Sequence, residues 1–193
     1  MSNDFFALIS RMKYIDRWAL MRNTEKESLS QHSYEVAVIA HALVIISNKR
    51  LGTSYDASKA ALIGLFHDAS EILTGDMPTP VKYYSPEILG AFKKVEEVAT
   101  DKILDMLPVD MQPDYKDLMI PAKEDEDLWR LVKAADKISA LIKCIEEEKA
   151  GNREFTKARE ATENSIHKMN CEAAEIFMKE FLPSFELTLD QLK

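Results

Sequence analysis

The sequence predicts an all-α protein. Three observations point there. Apolar residues recur at helical spacing through the best-patterned segment, 124–150; strand-type alternation is absent; and 193 residues contain only 5 glycines and 7 prolines, too few for a sheet-and-turn protein. A chain of this length can bury one well-filled core. No linker, internal repeat or low-complexity segment divides it, so residues 1–193 read as a single domain.

The elements follow in order. A short first helix is expected near 4–14. The segment SLSQHSYEVAVIAHALVIIS offers Ser28 or Ser30 as N-cap, ahead of a strongly apolar helix ending near Asn48. Asp56 caps the next helix, ASKAALIGLFHDASEIL, which Thr74 and Gly75 close. GDMPTPVKYYSP holds three prolines and a glycine and reads as a loop. A helix follows from Glu87 to about Leu107. Between Glu124 and Ala150, residues Leu128, Leu131, Val132, Ala135, Ile138, Ile142 and Ile145 make one stripe. Acidic residues fill the first turn of that helix, where its dipole favours them, and Gly151 can cap its end. A last helix is expected from Arg153 to Phe181, with Phe155, Ala158, Thr162, Ile166, Met169, Ala173, Ile176 and Phe177 on its packed face.

Charge and cysteine usage narrow the function classes. A formal net charge of −8 opposes sequence-independent binding to a phosphate backbone, so no nucleic-acid partner is expected. A small anionic substrate remains open, because a metal or a local cluster of cations overrides the overall field. Two cysteines, Cys144 and Cys171, make no disulfide framework and fit a reducing cytosol; each reads as a core or boundary thiol. The N-terminal MSNDFFALISRMK has no signal-peptide pattern, and no 18-residue apolar stretch of the membrane-spanning kind is expected.

The residues that carry chemistry begin with His67-Asp68. An imidazole followed directly by a carboxylate within one helical turn is a mixed donor set that suits a borderline first-row divalent cation. Glu71 lies four residues after His67 and three after Asp68, so all three side chains are expected on one helix face. His32 starts an apolar helix, and Asp136 interrupts the apolar segment LVKAADKISAL. A carboxylate on the shoulder of a buried stripe costs several kcal/mol unless it is paired, hydrogen-bonded or on a metal. A salt bridge to a nearby lysine would satisfy Asp136 equally well. His41 is nine residues from His32, half a turn out of phase, so both cannot reach one ion; His41 reads as packed or surface and His167 as surface. The run Glu146 to Glu148 reads as a solvated helix end.

The order His…His-Asp…Asp resembles the HD-domain metal-dependent phosphohydrolases, here with His67 35 residues after His32 and Asp136 68 residues after Asp68. The likeness is closer still to the bacterial 5′-deoxynucleotidases of the YfbR type. It is carried by IDRWALMRN, SLSQHSYEVA, FHDASEILTGDMPTPVKYY, KAADKISALIKCIEE and FLPSFELTLD, which span about Phe5 to Asp190. The resemblance implies a compact multi-helix HD bundle and a cytoplasmic homodimer that removes phosphate from 2′-deoxynucleoside 5′-monophosphates. It implies one divalent cation (Co2+, Mn2+, Zn2+ or Fe2+) on His32, His67, Asp68 and Asp136. It places Arg17, Trp18, His32, Asp68 and the loop Asp76, Met77, Pro78 and Thr79 at the substrate, against the plainer alternatives of a surface arginine, a core tryptophan and a connector. Direct hydrolysis is expected, with Arg17 neutralising phosphate charge, Asp68 at the reacting centre and Glu71 in proton transfer as base or acid. Two other functions fit the same motif: hydrolysis of nucleoside triphosphates or alarmone-like nucleotides, and a catalytically silent nucleotide-binding module.

Overall fold

The computed structural model describes residues 3–192. Among them the regular elements are helical, with one isolated antiparallel bridge between Asp16 and Ser28. In order they are α1 (Phe5–Ile9), running into a 3-10 turn; α2 (Leu29–Arg50); α3 (Ala57–Phe66); α4 (Glu71–Thr74); α5 (Thr79–Lys82); α6 (Pro86–Leu104); α7 (Gln112–Met119); α8 (Glu126–Lys149); α9 (Thr156–Lys168); and α10 (Glu172–Glu180).

Local chemistry sets the ends. Ser28, not Ser30, caps α2: its hydroxyl accepts from the Gln31 N–H at 3.3 Å while the Gln31 side chain accepts from the Ser28 N–H at 2.8 Å. This reciprocal box satisfies two donors the helix start would orphan. Asp56 caps α3 by accepting from the Lys59 N–H at 3.0 Å.

Helices α2, α3 and α8 form the centre, with α9 and α10 packed on α8. Leu43, Val44, Ile63, Ile138, Leu141 and Ile142 lie in their shared core. A second apolar cluster gathers Phe5, Ala69, Ile103, Leu104, Leu107 and Met119 on the other side of the α3–α4 turn. Gly64 sets the closest approach. A Cβ there would sit 2.8 Å from the Ala37 Cα, so only glycine lets α3 lie this near α2.

Several expectations need correction. Helix α2 is long and apolar enough, by length and composition, to span a bilayer, with a mean hydropathy of 1.3; 56% of that window is buried in the protein, as a core helix requires. The helix begun at Asp56 stops at Phe66, and residues 67–70 form a turn before α4. The proline-rich loop contains α5, because proline is tolerated in a first turn. Helix α7, QPDYKDLM, lies outside the expected elements; it is short and buries only Met119. The last expected helix is two, parted at Asn170, whose φ of +49° is left-handed. Of the run Glu146 to Glu148, Glu146 is exposed as a solvated end requires and Glu148 half-buried, but Glu147 is buried among hydrogen-bond donors.

Candidate metal centre and substrate cleft

His32 sits in the first turns of α2, His67 and Asp68 in the turn after α3, and Asp136 midway along α8. The close α2–α3 contact and the central place of α8 bring one donor atom from each to within 4.8 Å of the others. His67 and Asp68 therefore lie in a turn, not on the continuous helix expected.

The donor set fits a divalent cation. In both rings the Nε2 atom is buried and lacks a hydrogen-bond partner. His32 Nε2 nevertheless lies 3.1 Å from an Asp136 oxygen, and His67 Nε2 lies 3.0 Å from an Asp68 oxygen. Adjacent ligands on a shell of radius about 2.1 Å are separated by about 3 Å. The Nδ1 atoms are engaged elsewhere. His67 Nδ1 donates to the Gly64 carbonyl at 2.8 Å, and His32 Nδ1 lies 3.0 Å from the Ser139 hydroxyl. Each ring thus presents its free nitrogen to the carboxylates, an arrangement that a cation between them satisfies.

Mutual charges hold the carboxylates ionised. Burial raises the Asp68 carboxyl, yet the neighbouring His67 outweighs it and holds Asp68 below the usual range. Burial likewise works against Asp136, and the close His32 contact together with the Lys137 charge brings it well below. Lys137 Nζ stands 3.3 Å from the second Asp136 oxygen, so a salt bridge and the donor cluster share one carboxylate. His67 is raised: burial lowers it, but Asp68 and Asp136 prevail. His32 is lowered by burial and by the Arg17 charge, with Asp136 opposing. Arg17 resists its own burial because Asp136, Glu27, Asp68 and Asp76 surround it, and its pKa rises further.

Glu71 opens α4, its N–H donating to the Asp68 carbonyl at 2.9 Å. Its side chain is buried with Oε2 unpartnered. Burial first, then the Asp68 and Asp76 charges, push its carboxyl up to about 9 against the pull of Arg17 and Lys82.

A cleft of about 560 Å3 runs from this cluster. Arg17, Trp18, Asp76, Met77, Pro78 and Thr79 line it, and it reaches Asp136 and Lys137. Trp18 adopts a φ of +59°, rare for a bulky residue. Three contacts impose it: the Trp18 N–H donates to Asp76 at 3.3 Å, its indole N–H donates to Glu27 at 2.7 Å, and its ring lies 5.3 Å from that of Phe155. Asp76 thus ties the two cleft loops together. Glu27 also accepts from Arg17 Nε at 3.3 Å, and Arg17 Nη1 stands 3.6 Å from Asp68.

Sequence reasoning missed Glu27, Lys137, Tyr83, Ser139 and the α9 wall. Ala158 and Thr162, expected on a packed face, line the cleft with Ala161 and Ser165. Ser139 had one legible signal, its place one turn after Asp136 on the same helix. Glu27 had none beyond standing before a cap. His41 is exposed, and His167 sits at the surface, 2.8 Å from Glu175. Both thiols are buried and unpaired, and burial pushes Cys144 up to about 12.

Comparison with known proteins agrees with this arrangement. Residues 4–185 match the family model described as "5′-deoxynucleotidase YfbR-like". A 5′-deoxynucleotidase of Shewanella oneidensis is 48% identical over 187 residues, covering 97% of this chain and 96% of the relative. One from Vibrio cholerae is 44% identical over 188 residues, covering 97% of both. The crystal structure of an HD-domain phosphohydrolase from Listeria innocua superposes with a TM-score of 0.82 at 26% identity, covering 94% of this chain and 88% of that one. The HD cluster, the cleft loops and near-full-length similarity lead to one conclusion: the chain belongs to the YfbR-like 5′-deoxynucleotidase family.

Proposed function

We propose that the protein is a metal-dependent 5′-nucleotidase that converts 2′-deoxynucleoside 5′-monophosphates to deoxynucleosides and inorganic phosphate. The observation that carries this is the junction of the cleft with the donor cluster: Asp136 belongs to both, and Arg17 bridges them. His32, His67, Asp68 and Asp136 would hold one divalent cation, and Mn2+, Co2+, Zn2+ and Fe2+ all suit two imidazoles and two carboxylates. When bound, such an ion polarises a phosphate oxygen and lowers the pKa of water.

The remaining work falls to the chain. Arg17, held charged by its neighbours, orients the phosphate and neutralises charge as attack develops. Glu71 transfers a proton, toward the water or the departing 5′ oxygen. Trp18 packs on the nucleoside, and Asp76 to Thr79 form the facing wall, stiffened by Pro78 and Pro80. Phosphate transfer proceeds directly to water. The same proposal takes residues 1–193 as one domain, acting in the cytoplasm as a homodimer, with no nucleic-acid or membrane partner; a net charge of −8 and the resemblance to its relatives support it.

Phosphate release from dAMP and AMP, with and without added divalent metal, tests this. Metal-dependent release of inorganic phosphate with dAMP strongly preferred is expected. Equal hydrolysis of AMP would overturn the deoxynucleotide assignment. An apolar pocket alone rejects one extra hydroxyl by only about 10²-fold, so stronger preference needs a rigid block. Trp18 is the residue expected to supply it, and Trp18→Ala should narrow the dAMP/AMP ratio in kcat/KM while weakening both. An unchanged ratio would clear Trp18 of that role. Glu71→Gln should keep bound metal and lose about 10²–10⁴-fold in kcat, the usual worth of a positioned proton-transfer group. A variant that loses its metal would instead make Glu71 a ligand.

A further inference from the structure

We propose that Ser139 and Glu35 are positioning residues that fix His32 as a metal donor, by holding its proton on Nδ1 and leaving the Nε2 lone pair facing Asp136 and Asp68. This rests on the metal-centre assignment made above. The geometry is a pair of one-turn steps on facing helices. Asp136 and Ser139 lie one turn apart on α8, and His32 and Glu35 one turn apart on α2. At one end His32 Nε2 stands 3.1 Å from Asp136. At the other, His32 Nδ1 lies 3.0 Å from the Ser139 hydroxyl, which donates to Glu35 at 2.5 Å. His32 and Ser139 are both fully buried, so water offers no alternative partner.

The direction of this chain decides the tautomer. A serine hydroxyl has one proton, and the ionised Glu35 carboxylate receives it; burial pushes that carboxyl up to about 7, so the chain runs in this direction above neutral pH. Ser139 can then only accept from Nδ1, so Nδ1 carries the hydrogen and Nε2 does not. The opposite tautomer would aim an N–H at Asp136 across the same 3.1 Å and close the site with a hydrogen bond. Metal binding would then have to displace a proton. Glu27 is the other acceptor near Nδ1, and at 3.8 Å it is too far to replace Ser139. The sequence spacing alone shows none of this, because Glu35 and Ser139 are 104 residues apart.

The test combines tautomer and affinity. Nitrogen-15 NMR of the histidine rings reads the His32 tautomer, and calorimetric titration with Mn2+ reads affinity without any turnover. Ser139→Ala should shift His32 toward Nε2–H and weaken Mn2+ binding by about 10–100-fold, the usual worth of an outer partner to a metal ligand. Glu35→Ala keeps the serine but frees its proton to face Nδ1, so it should reproduce both changes. Glu35→Gln retains an acceptor oxygen and should behave as the parent. A merely structural role would leave the His32 tautomer unchanged in every variant. Should Ser139→Ala fail to fold, the two Glu35 variants carry the test. Parent-like tautomer and affinity in the Ala variants would overturn the positioning roles. A parent that binds no Mn2+ while its tautomer still follows Ser139 and Glu35 would overturn the metal-centre assignment instead.

Discussion

Asp68→Ala is expected to lose both bound metal and turnover. The substitution removes one of only two carboxylates in the donor cluster, and the one that lies near both His67 and Arg17. A cation in such a site contributes several kcal/mol of charge stabilisation to the reaction, so kcat should fall by about 10³-fold or more. Chelation should silence the parent equally, with Mn2+ restoring the parent and not the variant. The fold should survive, because Asp68 and Asp136 repel each other at close range and the cluster is built for binding rather than stability. Metal content, kcat and thermal midpoint measured on one preparation check all three parts. A variant that retains stoichiometric metal and rate would remove Asp68 from the centre.

Glu147→Ala should produce the largest loss of stability. Glu147 is 1% exposed and pairs with Lys143, itself buried. It also accepts from the Thr24 N–H at 2.9 Å, the Thr24 hydroxyl at 2.6 Å and Asn152 at 2.8 Å. Removing it leaves the buried Lys143 ammonium without its counter-charge and with the Glu25 carbonyl as remaining acceptor, a change worth about 3–5 kcal/mol. For a chain of this size the thermal midpoint should drop by about 10 °C. Because Thr24 belongs to the loop between Trp18 and Glu27, KM should rise as well. The same carboxylate makes stability fall in acid. Burial raises its pKa, but Lys143 and the other donors outweigh it and hold it at about 2. Since the folded value lies below the unfolded one, the contribution is complete above about pH 4.5 and is lost as pH falls toward 2. It amounts to about 3 kcal/mol. Denaturation across that range should show the loss in the parent and a flatter profile in the variant. Equal midpoints at neutral pH would refute the clamp.

The sequence by itself determined the helical class, the Asp56 cap, the start of α2 to within two residues, and which residue types could hold a metal. These depend on local quantities: apolar period, side chains able to accept from nearby N–H groups, and imidazoles or carboxylates standing where apolar residues belong. The resemblance added the cleft residues Arg17, Trp18 and Asp76 to Thr79, which the fold brings to line one cleft. Tertiary structure alone decided the rest. It ended α3 at Phe66, because His67 is fastened to Gly64 and Ala69 enters the second core rather than a continuing helix. It broke the last helix at Asn170, where continued periodicity gave no warning. It turned Glu147 inward, since a buried lysine and a loop of unpaired N–H groups outbid solvent for its charge. Most of all, it joined Glu35 to His32 through Ser139, and Glu27 to Arg17 and Trp18. Such links run between helices far apart in the chain, and no pattern along one helix encodes what another brings to its face.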